Sequence, residues 1–236
     1  DKNIVVTTGT SSGKSLSFYL PVIQSILANP LTKALFLYPT KALAQDQKAN
    51  LKKTLEAMQI ENEILVGVYD GDTPPSERKK IRDQANIILT NPDMLNASFL
   101  PNHNRYGFQL IFKNLQFVIL DELHVYRGAF GTHVSYLIRR LLRICKQYGS
   151  NPQFLCSSAT VANPLELAEK ICASKFIHIS EDGSYNSGKQ IIYWQCPQGR
   201  DTINEITRIV PDLVVNDISS ITFCQSRRDV EVASKE

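Results

Sequence analysis

No apolar stretch in this 236-residue chain approaches the roughly 18 residues needed to cross a bilayer. A membrane-spanning helix is therefore not expected. The opening DKNIVV has neither a basic n-region nor an apolar h-region with a small-residue cleavage site, so no secretory signal is visible there. Cysteine is scattered at 145, 156, 172, 196 and 224, with no CxxC spacing. An odd number of thiols in apolar settings, Cys156 and Cys224 among them in runs that read as buried strands, fits reduced cysteine in a cytoplasmic or nuclear protein. The four histidines show no ligand spacing with these cysteines, so no zinc site is expected. Neither sign of charge dominates: the net charge of +3 permits binding to a phosphate backbone without arguing for it. Repeats and low-complexity segments are missing too.

What is there is a recurring alternation. Short runs rich in Val, Ile, Phe and Leu are followed by segments of helical period. The runs are Ile4–Thr7, Ala34–Tyr38, Ile64–Val68, Ile87–Thr90, Phe117–Leu120, Phe154–Ser157 and Ile221–Cys224. Runs apolar on both faces suit parallel strands covered by helices on either side. Helices fit between them, for example over Lys14–Leu27, Ala42–Met58, Thr132–Gln147 and Pro164–Cys172. The expected fold is α/β, a doubly wound parallel sheet. The rhythm breaks at EDGSYNSG, and QIIYWQCP then reads as a strand leading outward. It restarts with SSITFCQSRRDVEVAS. This divides the chain into a domain over 1–180, a linker region over 181–216, and a strand and helix start of a second domain over 217–236.

Two segments carry chemistry. TTGTSSGKS follows a strand and opens a helix. A loop of small residues lets successive backbone N–H groups face phosphate oxygens, helped by the helix N-terminus. Thr8, Gly9, Thr10, Ser11, Ser12 and Gly13 would form the cradle, Lys14 would reach the β- and γ-phosphates, and Ser15 would ligate Mg²⁺. Thr8 stands where the strict phosphate-loop pattern has Gly. FVILDELH places two acids at the C-terminal end of a strand, where open α/β sheets bind ligands. Asp121 would hold Mg²⁺ through water, Glu122 would polarise the attacking water, and His124 would link the nucleotide to the rest of the protein. As catalytic residues this gives Glu122, Asp121 and Lys14, with ATP and Mg²⁺ as ligands.

These blocks resemble motifs I and II of superfamily 2 helicases of the DExH type, whose motor domains are RecA-like. Leu37–Gln47 resembles motif Ia, Ile88–Leu95 motif Ib, Ser157–Thr160 motif III and Ile221–Glu231 motif IV. Val68–Pro74 and Glu122–Val134 narrow the resemblance to the MrfA/YprA family of DNA-repair helicases and its fungal and plant RecQ-related relatives. The resemblance implies a 3′-to-5′ DNA helicase acting in repair and tracking on a single strand. It places Pro39, Thr40, Lys41, Thr90 and Asn91 against nucleic-acid phosphates, and makes Ser158, Ala159 and Thr160 the coupling segment. Such contacts would position a backbone and read no sequence. Asp93 reads as a cap of the following helix. An RNA helicase and a nucleic-acid-binding module without turnover stay open as alternatives.

The glutamine motif before Asp1, motifs V and VI and a cysteine-bearing C-terminal domain are missing from this sequence. The chain is thus expected to be a piece of a longer protein and inactive by itself. Arg139, Arg143 and Lys146 share a helix side with Arg127 and Arg140 nearby, and Arg78–Arg82 forms a second basic cluster. Both read as solvated faces. Trp194 reads as packing within the linker region.

Overall fold

The computed structural model describes residues 2–8, 13–159, 162–181, 183, 188 and 190–234. The strands are β1 (Asn3–Val6), β2 (Lys33–Leu37), β3 (Val66–Val68), β4 (Ile87–Thr90), β5 (Leu115–Leu120), β6 (Gln153–Ser157) and β7 (Phe176–Ile179). They form one seven-stranded sheet in the order β3-β4-β2-β5-β6-β1-β7, parallel at every pairing. Six of the seven apolar runs singled out in the sequence thus lie on strands, and the doubly wound α/β fold is what they build.

Alternation along each strand explains why those runs look continuously apolar. Val5, Leu35, Leu37, Ile88, Val118, Leu120 and Cys156 face one core layer. Val6, Phe36, Ile87, Leu89, Phe117, Ile119 and Leu155 face the other. With period-2 side chains and both faces covered, apolar residues dominate the strands, and in β2, β4 and β6 polar ones are confined to the ends. The second layer is closed by α1 (Lys14–Ala28) and α2 (Lys41–Ala57). Phe18, Val22, Ile23 and Ile26 of α1 are fully covered, each contributing roughly 1.5–3 kcal/mol of burial. The first layer is closed by α3 (Pro75–Gln84), α5 (Phe108–Asn114), α6 (Gly128–Tyr148) and α7 (Pro164–Cys172). A one-turn helix α4 (Pro92–Met94) continues into a wide helical turn over Leu95–Phe99.

The chain divides into two compact units, Asp1–Ser184 and Tyr185–Glu236. The second contains α8 (Thr202–Val215) and α9 (Arg227–Ala233). Two expectations fail in it. Ile221–Cys224 is irregular, with Ile221 83% and Phe223 89% exposed, and Cys224 is half-buried rather than in a core strand. QIIYWQCP, 190–197, is irregular too. A strand exists only through a ladder partner, and neither run has one among the described residues. Within 181–216, read as a linker region, lies the 14-residue helix α8, with Asp201 accepting from Asn204 N as its N-cap. Trp194, expected to pack, is 58% exposed and is held by a hydrogen bond, its Nε1 donating to Glu205 3.2 Å away, while Arg200 donates to the same carboxylate at 2.8 Å and holds it below the usual carboxylate range. Cys145, Cys156 and Cys172 are free and buried; burial pushes the Cys145 thiol up to about 11. Among the described residues no helix is long and apolar enough to cross a membrane.

Candidate nucleotide and nucleic-acid site

Parallel strands deliver their following loops to one edge, and the chemistry gathers there. β1 and β5 flank β6, so the phosphate-loop residues and the acids stand on either side of the Ser157–Ala159 segment. Gly9, Thr10, Ser11 and Ser12 lie outside the described residues, as does Thr160. Gly13 caps α1 at φ 77°, ψ 18°, a left-handed conformation that favours glycine. Helix α1 then begins at Lys14, and Ser15 sits half-buried in its first turn.

Lys14 donates from Nζ to the Thr8 carbonyl at 3.0 Å and to the Ser158 carbonyl at 3.3 Å. Ser158 N is itself bound to the Val6 carbonyl at 3.0 Å, locking the segment beside β1. At the end of β5, Asp121 N donates to the Leu37 carbonyl, and Asp121 Oδ1 accepts from both Glu122 N and the Ser157 hydroxyl. Glu122 has φ 53°, ψ 47°, a left-handed backbone that non-glycine residues adopt rarely and at a cost. The 3₁₀ turn Leu123–Val125 that follows presents His124. Its Nδ1 lies 3.2 Å from Glu122 Oε2 and 3.3 Å from Ala159 N. An unprotonated Nδ1 accepts from Ala159, and a protonated one donates to Glu122, so these contacts are alternatives. The Ser158 hydroxyl is buried with no hydrogen-bond partner among the described residues. Such an atom at a functional edge is a candidate for a missing ligand or water contact.

Two buried phenols stand behind this edge. Tyr19 donates to Gln47 Oε1 at 2.5 Å, and burial, with the Asp121 charge second, pushes its hydroxyl up to about 12. Tyr38 is raised well above its ordinary value, mainly by burial. Neither was singled out in the sequence, nor was Ser157 as the partner of Asp121. The repeated Ser in SSAT was the available signal.

The residues matched to phosphate contacts hold structural jobs of their own. Pro39 is half-buried, and Thr40 caps α2 by accepting from Leu43 N at 3.3 Å. Lys41 is exposed and pairs with Asp72 at 2.8 Å, which raises its pKa through that bond. Thr90 is buried and donates to the Tyr69 carbonyl at 2.6 Å. Asn91 caps α4 by accepting from Met94 N at 2.9 Å. The cap is thus Asn91, and Asp93, expected to cap, is an exposed first-turn residue. The loop of DGDT is internally tied: Asp70 Oδ1 accepts from Asp72 N, Thr73 N and the Thr73 hydroxyl. Arg78 donates to the carbonyls of Asp70 and Gly71 and lies 5.5 Å from the Tyr69 ring centroid, so part of the basic cluster serves the fold rather than a solvated face. Arg139 likewise donates to the Ser135 and Lys170 carbonyls. A cleft of about 680 Å³ lined by Asn3, Gln116, Gln153 and Lys175 lies at the opposite edge of the strands, away from this chemistry.

The DEAD/DEAH box helicase family profile matches residues 1–168. An uncharacterised ATP-dependent helicase YprA of Bacillus subtilis is 41% identical over 98% of the chain and 31% of its own length. The ATP-dependent helicase HRQ1 of Saccharomyces cerevisiae is 39% identical over 100% of the chain and 23% of its own length. The crystal structure of the DUF1998 helicase MrfA superposes with TM-score 0.88 at 42% identity, covering 99% of this chain and 35% of that one. MrfA bound to DNA and AMPPNP superposes with TM-score 0.86 at 40% identity, over 100% of this chain and 34% of that one. The chain spans about a third or less of each.

Proposed function

The chain belongs to the DEAD/DEAH box helicase family, and we propose that it is the ATP-binding motor unit of a DNA helicase that couples ATP hydrolysis to movement along a single strand. One observation carries this reading. Lys14, Asp121, Glu122, His124 and Ser158 converge at one sheet edge although they are distributed over nearly 150 residues.

The donor set fits a nucleotide with Mg²⁺. The Lys14 ammonium is shared between two carbonyls that phosphate oxygens would displace, and the hard oxygens of Ser15 and Asp121 suit Mg²⁺. Bound there, Mg²⁺ would neutralise charge on the phosphate oxygens. Glu122 would orient the attacking water and take up its proton. When Lys14 turns to the phosphates it leaves the Ser158 carbonyl, and His124 can exchange Ala159 for Glu122. The Ser158 carbonyl would thus lose its Lys14 bond when the nucleotide site is filled.

Pro39–Lys41 follow β2, and Thr90–Asn91 close the neighbouring strand β4 at the same edge, where helix starts suit a phosphate backbone. DNA as substrate is supported by the likeness to MrfA, whose structure holds DNA, while 3′-to-5′ polarity and a place in repair rest on the motif resemblance of the sequence. Residues 217–236 fit the opening of a second motor domain by their sequence pattern.

The test is steady-state ATPase of the full-length protein that carries this chain, with no nucleic acid, single-stranded DNA or single-stranded RNA of equal length. Stimulation by DNA above RNA is expected. Greater stimulation by RNA would overturn the substrate, and no ATPase under any condition would overturn the motor.

A further inference from the structure

We propose that a cleft between the turn following Thr90–Asn91 and the first turns of α6 is a stacking site for a nucleobase of the bound strand. This rests on the nucleic-acid reading above. The cleft holds about 380 Å³ and is lined by Pro92, Asp93, Phe130, His133, Tyr136 and Arg140 among others. Pro92 directly follows Asn91, so the cleft continues the edge over which the backbone would pass.

Three aromatic rings, Phe130, His133 and Tyr136, line an open cleft here, which the fold alone does not require. His133 is exposed and Tyr136 is 65% exposed. Phe130 is fixed from behind by Tyr126, with ring centroids 5.5 Å apart. The spacing 130, 133 and 137 places the first two on the helix face whose Leu137 is buried, so the rings border the core without entering it. Arg140 Nη1 donates to Asn96 Oδ1 at 2.7 Å, which holds the guanidinium across the groove.

The polar groups select the occupant. A phosphate would meet Arg140 but also the exposed Asp93 carboxylate, which repels it. A nucleobase is flat and neutral, and its edge carries donors and acceptors together. Asp93 can only accept and Arg140 can only donate, so the pair complements such an edge while the rings receive the face. Stacking on Tyr, His or Phe beside Arg planes is how unpaired bases are held without sequence readout.

The test is binding of the chain to fluorescently labelled single-stranded oligodeoxynucleotides, with one abasic tetrahydrofuran residue walked along the strand. At one position the abasic residue should weaken binding about tenfold, the scale of losing one base stack. Tyr136→Ala should weaken the intact strand by a similar factor and flatten the profile, whereas Tyr136→Phe should keep it. Stacking releases no counterions, so Tyr136→Ala should leave the slope of log affinity against log salt unchanged. A flat profile in the unmodified protein with normal oligonucleotide binding overturns the stacking site and leaves the nucleic-acid reading intact. Binding to no oligonucleotide overturns both. If Tyr136→Ala binds every strand normally yet loses self-association in sedimentation, the cleft docks protein and the proposal falls.

Discussion

Lys14 Nζ donates to the carbonyl of Ser158 across 144 positions of sequence, at 3.3 Å. The bond ties the start of α1 to the end of β6, the two elements that border the proposed nucleotide site. It also means that the cation best placed to meet phosphates holds a second segment in its ordered place meanwhile.

Replacing Lys14 with Ala should therefore remove a charge-assisted contact and a tether together. Turnover should fall by roughly 10²–10³, the scale of deleting one group aimed at developing charge. Steady-state ATPase of the full-length protein at saturating nucleotide measures it. Turnover near that of the unmodified protein would refute the phosphate-loop role of Lys14.

Glu122 offers a separation of stability from chemistry. Its backbone sits at φ 53°, where an L side chain costs roughly 1–2 kcal/mol. Glu122→Gly relieves that conformation, and Glu122→Gln keeps it. Both should lose hydrolysis, while only Glu122→Gly should match or exceed the unmodified protein in thermal midpoint. Asp121→Asn should instead weaken Mg²⁺-dependent nucleotide binding, since it alters the carboxylate that accepts from Ser157 and Glu122 N. Differential scanning fluorimetry and nucleotide-binding titrations check these outcomes. Equal loss of nucleotide binding in Glu122→Gln and Asp121→Asn would contradict the division of roles.

The strands β1 to β6 were legible because they are largely covered on both faces, which favours an apolar run. Helix α3 was not singled out, and it buries only Ile81, too little for a periodic pattern to stand out. Strand β7 is an edge strand whose Ile177 and Ile179 stay exposed. Ile221–Cys224 reads like the others locally, but pairing is a property of two segments, and no described segment pairs with it. At the site, the strand–loop–helix order of the phosphate loop and the acids at a strand end were readable. Which side chains are already engaged was not. The bond from Thr90 to the Tyr69 carbonyl follows from the β3–β4 register, which local sequence does not encode.

Gly131 lies inside α6, where Gly→Ala ordinarily stabilises by about 0.5–1 kcal/mol. Here the sign should reverse. A Cβ at Gly131 would stand 2.3 Å from the Tyr126 carbonyl oxygen, and that atom is backbone rather than a flexible tip. The helix or the His124–Tyr126 turn must shift, at a cost of typically 1–3 kcal/mol. Chemical denaturation of Gly131→Ala should show a lower midpoint with an unchanged slope. Because the turn carries His124, ATPase should fall as well. A stabilised Gly131→Ala would mean that this approach is looser than the structure has it.

Tyr19 gives the pH prediction. Its phenol ionises near pH 12 instead of the ordinary 10 because it is buried, with the Asp121 charge adding to the effect. The folded state therefore holds a proton that the unfolded state releases between these values. The stabilisation is fully present below pH 10 and is lost as pH rises through 12, amounting to about 2–3 kcal/mol for a two-unit difference. Tyr19→Phe cannot ionise, so its alkaline unfolding curve should lack that component although it also loses the bond to Gln47. Ultraviolet absorbance of phenolate adds a second reading: Asp121→Asn should lower the Tyr19 transition, since it removes the nearby negative charge. An alkaline stability profile identical for the unmodified protein and Tyr19→Phe would show that Tyr19 ionises as freely in the folded chain as in the unfolded one.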